Sequence, residues 1–222
     1  MEVADSRTVR LALLNRFHHD VAREWNKNGF PVVAFGGSAG ALPVLREILG
    51  LLPDDTGMAF VVIQHLSPDH KSLLAEILGK RTKMRVVQIK DNMEIEVNQV
   101  FVIPPNTDLT IADHTLHLAP RTLDERRRHR SIDSFFNSMA GERTIAGISI
   151  VLSGMDSDGI IGTAAVKASG GVTVAQEPET AIHGDLPRHV IADGFVDFIR
   201  GPEGIAEILV ELSKRLRTGA DS

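Results

Sequence analysis

Short apolar runs recur along the chain and alternate with segments in which apolar residues follow a helical period. Continuous apolar runs of four to eight residues are typical of strands that are buried on both faces of a parallel sheet. The predicted strands are Pro31–Phe35, Met58–Ile63, Arg85–Ile89, Val100–Ile103, Ile145–Leu152, Val172–Ala175 and Phe195–Ile199.

The helical segments lie between these runs and carry their own boundary signals. Ser131 is placed to cap one helix, Gly170-Gly171 closes another, and the last begins just after Pro202. Strand–helix alternation predicts an α/β fold with a doubly wound, mainly parallel sheet and helices on both faces. The predicted helices cover residues 42–52, 73–78, 132–139, 160–168 and 205–216.

Three segments depart from this alternation. Residues 1–30 have apolar positions at helical spacing and predict a helical lead-in to a single domain over residues 31–218. Leu109–Ile111 and Thr115–Leu118 flank a short polar turn and predict an appended β-hairpin. The charged stretch 121–130 predicts an exposed loop.

Composition and charge exclude several classes of function. The chain has 222 residues with 29 acidic and 24 basic side chains, a net charge of −5, which disfavours a nucleic-acid binder. The absence of cysteine excludes a disulfide scaffold, a cysteine nucleophile, an iron–sulfur cluster and a zinc finger. No apolar run approaches the ~20 residues that span a bilayer, and no signal peptide is evident at the N-terminus. We therefore expect a cytoplasmic protein without membrane insertion.

The segment Gly36-Gly37-Ser38-Ala39-Gly40 follows a predicted buried strand and precedes a predicted helix. It fits the G-x-S-x-G nucleophile elbow, in which glycines permit a tight turn and the serine hydroxyl projects from the sheet edge. The N–H groups at the following helix N-terminus are placed to stabilise an oxyanion. A glycine-rich turn that binds phosphate through the same N–H groups is the alternative interpretation.

Two further motifs are predicted at the same sheet edge. His65 ends the second predicted strand, where it is available as a base for Ser38. The turn Ser153–Gly159 follows the longest apolar run and contains Asp156 and Asp158. Carboxylates in such a turn orient a histidine, bind a metal or cap the next helix. Together with the elbow they complete a Ser-His-Asp set at three strand ends.

The combined motifs resemble the catalytic domain of the chemotaxis protein-glutamate methylesterases. The resemblance covers about residues 31–200, in order, and the segment 57–74 is similar to methylesterase domains fused to a methyltransferase in sensory proteins. The motifs are Gly37-Ser38-Ala39-Gly40, Gln64-His65, Ile103–Asn106, Ser131–Phe136, Leu152–Gly159, Gly170-Gly171, Ala175-Gln176 and Pro187-Arg188.

The resemblance implies an esterase that converts γ-glutamyl methyl esters on chemoreceptors to glutamate and methanol, and in some members also deamidates receptor glutamines. It implies Ser38 as nucleophile, His65 as base and Asp158 as the carboxylate that orients His65. Met155 and Ala39 take the oxyanion-hole positions. No metal or organic cofactor is implied.

The implied partners are the cytoplasmic helices of methylated chemoreceptors, whose methylation segments are acidic. Arg188 and Arg130, with Arg126–Arg128, are candidates for a basic surface that receives them; a solvated loop is the alternative for the arginine run. Other domains of a sensory fusion, or a separate regulator, are further possible partners.

The sequence departs from the family pattern at three points. Ala39 stands where better-known relatives have threonine, and Asp156 stands where they usually have glycine. A carboxylate at position 156 either repels the oxyanion or binds a cationic group. Only about 30 residues precede the domain, too few for a receiver domain, so the chain is expected to work without that switch or to derive from a larger fusion.

Two other functions remain open from sequence. A patatin-like lipid hydrolase also uses an early G-x-S-x-G and an Asp-Gly pair, but as a Ser-Asp dyad that would survive a His65→Ala substitution. A non-catalytic signalling module of the same fold would bind a partner without turnover, and Ala39 and Asp156 motivate that alternative. A phosphate-binding module is a more distant interpretation.

Overall fold

The computed structural model describes residues 29–65, 72–121, 129–142 and 144–220, with the side chains of the last helix described up to Arg215. The strands are β1 (Pro31–Gly37), β2 (Ala59–Gln64), β3 (Arg85–Gln88), β4 (Met93–Glu94), β5 (Gln99–Val102), β6 (Thr107–Ala112), β7 (Thr115–Pro120), β8 (Ala146–Val151), β9 (Val172–Gln176) and β10 (Phe198–Arg200). The α-helices are α1 (Ala41–Leu51), α2 (Leu74–Gly79), α3 (Ser131–Gly141), α4 (Ile160–Ala168), α5 (Asp185–Ala192) and α6 (Pro202–Ala220).

Seven parallel strands form the main sheet in the order β10-β9-β8-β1-β2-β5-β3. The chain builds one half of the sheet outward from β1 through β2, and then builds the other half from β8 outward. Strand order therefore reverses between β1 and β8, and the crevice at the carboxyl ends of these strands is where such sheets bind ligands. The predicted doubly wound parallel sheet is confirmed.

Helices cover both faces of the sheet because successive strand side chains point to opposite sides. Along β1, Val33 and Phe35 face the layer of α1, α2 and α6, whereas Val32 and Ala34 face the opposite side. That opposite side packs against α3, α4, α5 and the small sheet. The two apolar clusters explain why the strand sequences are continuously apolar rather than alternating.

A small antiparallel sheet, in the order β4-β7-β6, is appended to the α3 face. The predicted hairpin is confirmed as β6 and β7, and its two-residue turn consists of Asp113 and His114 with φ of 47° and 60°. Positive φ at both turn residues gives the twist that a tight hairpin needs. The two-residue strand β4 was not predicted, because so short a segment has no periodicity.

The N-termini of α3 and α4 cap each other through the carboxylates of Asp158 and Asp133, an arrangement called the carboxylate exchange below. Asp158, just before α4, accepts hydrogen bonds from the backbone N–H groups of Ile132 and Asp133 at 2.8 and 2.9 Å. Asp133, in the first turn of α3, accepts one from the N–H of Gly162 at 2.8 Å. Each carboxylate thus satisfies N–H groups that the opposite helix leaves unpaired and lies at its positive dipole end. The predicted cap Ser131 is wrong: its hydroxyl donates to Asp108 instead, at 2.7 Å.

Several predicted boundaries change or lie outside the described residues. The last strand begins at Phe198 rather than Phe195, because Phe195 and Asp197 bond with the Thr173 side chain and backbone. Helix α5 was not predicted. The helical lead-in over residues 1–30 lies outside the described residues up to position 28, as do residues 122–128 of the charged loop. Among the described residues, no helix is both long and apolar enough to cross a membrane.

Replacing Asp133 tests the carboxylate exchange. The Asp133→Ala substitution leaves the buried Gly162 N–H without an acceptor, and we expect the free energy of unfolding in urea to fall by about 1–3 kcal/mol. The exposed Asp193, replaced by alanine, is the control and should change it by less than about 0.5 kcal/mol. Equal effects of the two substitutions would show that the exchange contributes nothing to stability.

Candidate functional site

Three neighbouring strands end at the same level and bring the predicted motifs together. In the register of the sheet, Gly37 of β1 pairs with Gln64 of β2, and Gly36 pairs with Val151 of β8. Ser38 and His65 are the next residues after the first pair, and the turn 152–159 follows β8. The motifs therefore meet at the point where strand order reverses.

The elbow around Ser38 is fixed by the end of β8. The Ser38 N–H donates to the Ser153 carbonyl at 2.9 Å, and the Ser153 hydroxyl donates to the Ala39 carbonyl at 2.8 Å. Gly40 has φ of 80°, and a methyl group there would lie 2.5 Å from Ser153 Oγ. Glycine is thus required at position 40 both by backbone conformation and by space.

Asp158 holds one side of the His65 ring. Its Oδ2 lies 2.9 Å from His65 Nε2, and the same carboxylate is the one that accepts the two N–H groups of α3. The Asp158 side chain is 1% exposed. A buried carboxylate with three donors has little freedom to move, so it fixes the orientation of the imidazole ring.

Asp156 contacts the other ring nitrogen. Its Oδ2 lies 3.0 Å from His65 Nδ1, and its side chain is 41% exposed. The side chains of Ser38 and His65, both described, form no hydrogen bond with each other. The structure thus brings together His65, Asp156 and Asp158, while Ser38 lies beside them without a bond to the ring.

The carboxylates change the protonation of His65. Burial lowers the pKa of His65, but the hydrogen bonds and charges of Asp156 and Asp158 outweigh it and raise the pKa to about 9. Burial raises the pKa of Asp156, but His65 outweighs it and lowers that pKa below its ordinary value. At Asp133, burial raises the pKa by more than the Gly162 N–H and Arg130 lower it. At neutral pH the His65 ring is therefore an imidazolium between two carboxylates.

The predicted oxyanion-hole positions flank Ser38. The backbone N–H groups of Met155 and Ala39 donate no hydrogen bond to any residue that the structure describes. Gly154, just before Met155, lies against the serine, since a methyl group on it would be 3.2 Å from Ser38 Cβ. N–H donors that have no acceptor among the described residues and lie next to the predicted nucleophile have the character that an oxyanion hole needs.

The two predicted substrate arginines differ in environment. Arg130 donates to the Asp133 carboxylate at 2.9 Å and to the Ser157 carbonyl at 3.4 Å, so it supports the turn beneath the site. The Arg188 side chain is 55% exposed, with loose contacts to Asp185 and Glu179 at 3.8 and 3.9 Å. Arg188 therefore has the freedom that a substrate-binding group needs, and Arg130 has much less. Arg126–Arg128 lie outside the described residues.

Sequence reasoning missed three contributions. Ser153 belongs to a predicted motif but had no predicted role. It fixes the elbow through its bonds to Ser38 and Ala39, and its own N–H donates to Gln176 Oε1 at 3.0 Å. The contact of Asp156 with His65 Nδ1 was not predicted. His129 lies with its ring centroid 6.2 Å from that of His65. The proximity of Ser153 and Asp156 to Asp158 in sequence was the available signal for the first two.

The pH dependence of stability follows from the raised pKa of His65. The folded state keeps the imidazolium up to about pH 9, whereas the unfolded chain loses it near 6.5. The resulting stabilisation is complete below about pH 6.5 and is lost as the pH rises through about 9. We expect it to be about 1–3 kcal/mol, because the exposed Asp156 is screened by solvent.

A His65→Gln variant isolates this contribution. The difference in free energy of unfolding between wild type and variant should be largest at about pH 6 and shrink toward about pH 9.5, as measured by urea denaturation across that range. A difference that is constant or grows with pH would contradict the charged state assigned to His65.

Comparisons with known proteins agree with the fold described above. A family model described as CheB methylesterase matches residues 33–209. The crystal structure of the Thermotoga maritima CheB methylesterase catalytic domain superimposes with a TM-score of 0.75 and 26% sequence identity, covering 83% of this chain and 99% of that one.

Curated relatives give the same result. A putative protein-glutamate methylesterase/protein-glutamine glutaminase of Leptospira interrogans is 30% identical over 188 residues, which cover 83% of this chain and 96% of that protein. An uncharacterized 104.1 kDa protein of Rhodobacter capsulatus is 42% identical over 147 residues, but these span only 15% of it. A relative from Carboxydothermus hydrogenoformans is matched over 55% of its length. The predicted resemblance is confirmed, and the chain belongs to the CheB methylesterase family.

Proposed function

We propose that this chain hydrolyses γ-glutamyl methyl esters of chemoreceptors to glutamate and methanol, with Ser38 as nucleophile, His65 as base and Asp158 as the orienting carboxylate. The observation that carries the proposal is the 2.9 Å contact of His65 Nε2 with the buried Asp158, at the strand end next to the Ser38 elbow. The membership of the chain in the CheB methylesterase family supports the choice of reaction.

Asp158, rather than Asp156, takes the orienting role. Asp158 is buried and bound by two backbone N–H groups besides His65, whereas Asp156 is 41% exposed. Because Nε2 is bound by the buried Asp158, the serine hydroxyl would use Nδ1, in place of the contact that the exposed Asp156 makes there. A Ser-Asp dyad is disfavoured, because the Asp158 carboxylate is bonded to His65 Nε2 rather than to Ser38.

The reaction proceeds by two displacements at the ester carbonyl. In the first, Ser38 Oγ bonds to the carbonyl carbon while its proton passes to His65 Nδ1. The tetrahedral intermediate then breaks its bond to the methoxy oxygen, which leaves as methanol with the proton from His65. In the second, water loses a proton to His65 and bonds to the acyl carbon. The bond from that carbon to Ser38 Oγ then breaks, His65 returns the proton to Oγ, and the glutamate side chain leaves.

The N–H groups of Met155 and Ala39 stabilise the negative oxygen of both intermediates. Their positions beside Ser38 and their lack of other acceptors among the described residues support this role. Loss of one such donor raises a barrier by about 2.7–4 kcal/mol in comparable sites.

The same chemistry extends to receptor glutamines. An amide carbonyl accepts the same attack, and ammonia leaves in place of methanol. The curated relatives carry the double name protein-glutamate methylesterase/protein-glutamine glutaminase, which supports this second reaction.

The substrate is the cytoplasmic methylation helix of a chemoreceptor, and the reaction takes place in the cytoplasm. Arg188 is exposed on α5, which follows the segment that bonds to Gly154 and Ser153 beside the nucleophile. Its guanidinium is suited to the acidic side chains of such a helix. Arg130, paired with Asp133, acts mainly by supporting the turn that carries Asp158.

Methanol release from methylated receptor membranes tests the catalytic set. Ser38→Ala and His65→Ala should each reduce the rate by at least about 10³-fold, because the nucleophile and its base act as one unit. Ser134→Ala, at a partly exposed serine on α3, and His117→Ala, on the appended sheet, are matched controls that should retain wild-type rates.

Two outcomes would contradict the proposal. Release that survives His65→Ala would indicate a dyad enzyme, and absence of release from the wild type at every pH would indicate a binding module.

Replacing Arg188 tests the substrate surface. Arg188→Gln should raise KM for methylated receptors by about three- to tenfold and leave kcat unchanged, with the difference shrinking at high salt. Arg85, exposed on the edge strand β3, is the control when replaced by glutamine. An equal KM for Arg188→Gln and the wild type would remove Arg188 from the binding surface.

A further inference from the structure

Both ring nitrogens of His65 are occupied by carboxylates. Nδ1 lies 3.0 Å from Asp156 Oδ2 and Nε2 lies 2.9 Å from Asp158 Oδ2. A ring nitrogen bonds to an ionised carboxylate only as an N–H donor, so this arrangement requires a proton on each nitrogen. An imidazolium has no lone pair with which to accept the serine proton. The arrangement is therefore one in which the base cannot act.

Asp156 contacts the ring nitrogen that the proposed reaction assigns to Ser38. Asp158 holds Nε2 with a carboxylate fixed to the N-terminus of α3, so Nδ1 is the only nitrogen open to exchange. The turn that carries Asp156 also packs against the nucleophile, because Gly154 lies beside Ser38 Cβ. The carboxylate and the serine hydroxyl therefore compete for one nitrogen.

We propose that Asp156 is a positioning residue that holds His65 in a protonated resting state, and that Ser38 becomes nucleophilic only when Asp156 leaves Nδ1. The proposal rests on the proposed function, since it concerns the base of that reaction. Asp156 would then determine the lowest pH at which the site is active.

Asp156 is the carboxylate that is free to leave. Among the described residues, its other side-chain hydrogen bond is accepted from the Asp158 N–H at 3.3 Å, and 41% of its side chain is exposed. Asp158 is 1% exposed and has two further backbone donors at 2.8 and 2.9 Å. Rotation of Asp156 into solvent breaks its bond to His65 and its long bond from the Asp158 N–H. The bonds that Asp158 makes to His65 and to α3 do not involve Asp156 and stay in place.

The other charged and titratable groups around the pair are few in the described part of the chain. His129 presents its ring to that of His65 from the segment before α3, at 6.2 Å between centroids. The charge of Arg130 helps to lower the pKa of Asp156. His189 on α5 lies with Nδ1 3.2 Å from the Asp156 carbonyl. Of these groups, Arg130 favours an ionised Asp156, and His189 contacts its backbone.

The two carboxylates greatly reduce the fraction of His65 that is neutral and can act as a base. With a pKa of about 9, only about 3% of His65 is neutral at about pH 7.5, against about 90% for an ordinary histidine. Removal of the Asp156 charge leaves the effect of Asp158 in place. We expect the His65 pKa to fall by at least about one unit, which raises the neutral fraction about eightfold at that pH.

Nitrogen-15 NMR of the histidine rings in the full chain tests the assignment without reference to activity. The His65 signal, identified by its loss in His65→Gln, should titrate near pH 9 in the wild type and at least about one unit lower in Asp156→Asn. Asparagine keeps the acceptor for the Asp158 N–H and removes only the charge. The exposed Asp193→Asn makes the same change in net charge and should leave His65 unchanged.

Kinetics in the same variants separate this proposal from the proposed function. Asp156→Asn should move the acidic limb of kcat/KM for methanol release to lower pH by the shift seen in NMR, while Asp193→Asn should not. A wild-type His65 that titrates below about pH 7.5, or a pKa and acidic limb that Asp156→Asn does not move, would overturn the role of Asp156. An NMR shift as expected with no methanol release from any variant would count against the proposed function alone.

Discussion

The exchange of carboxylates between the N-termini of α3 and α4 is the constraint on which the site depends. Asp158 receives two backbone N–H groups of α3 and one ring nitrogen of His65, while Asp133 receives one N–H of α4 and the guanidinium of Arg130. Buried carboxylates are costly unless such donors surround them. The same bonds that join the two helices therefore place a fixed carboxylate at the end of β2, where the histidine lies.

The two carboxylates on His65 differ in freedom rather than in chemistry. Asp158 is buried and anchored, which suits a group that must hold a ring through a catalytic cycle. Asp156 is partly exposed and contacts the other nitrogen from the turn beside Ser38. Two aspartates of one turn, two positions apart in sequence, thus give His65 one partner that stays bound and one that can leave. The roles proposed for Asp158 in catalysis and for Asp156 in the resting state both rest on this difference in burial.

The sequence was sufficient for the architecture and for the identity of the motifs. Continuous apolar strands and capped helices indicated the parallel sheet because burial on both faces leaves that pattern. The appended hairpin was visible from its turn. The cap of α3 was assigned to the wrong residue, because Ser131 has the right chemistry locally while the true acceptor, Asp158, is distant in sequence. The sequence offered both aspartates of the turn as partners for a histidine, but the contact of Asp156 with Nδ1 was not predicted, since it depends on how the turn packs against a strand end in three dimensions.

In the proposed esterase, Asp158 holds His65 so that the ring activates Ser38. The most direct measurement is the rate at which a fluorophosphonate labels the protein at about pH 9, where His65 begins to lose its proton, with the modified residue located by mass spectrometry. We expect Ser38 in the wild type to gain the phosphonyl group as fluoride leaves, and Asp158→Asn to slow this labelling by at least about 10³-fold. Equal rates in the two proteins, or a label on another residue, would contradict it.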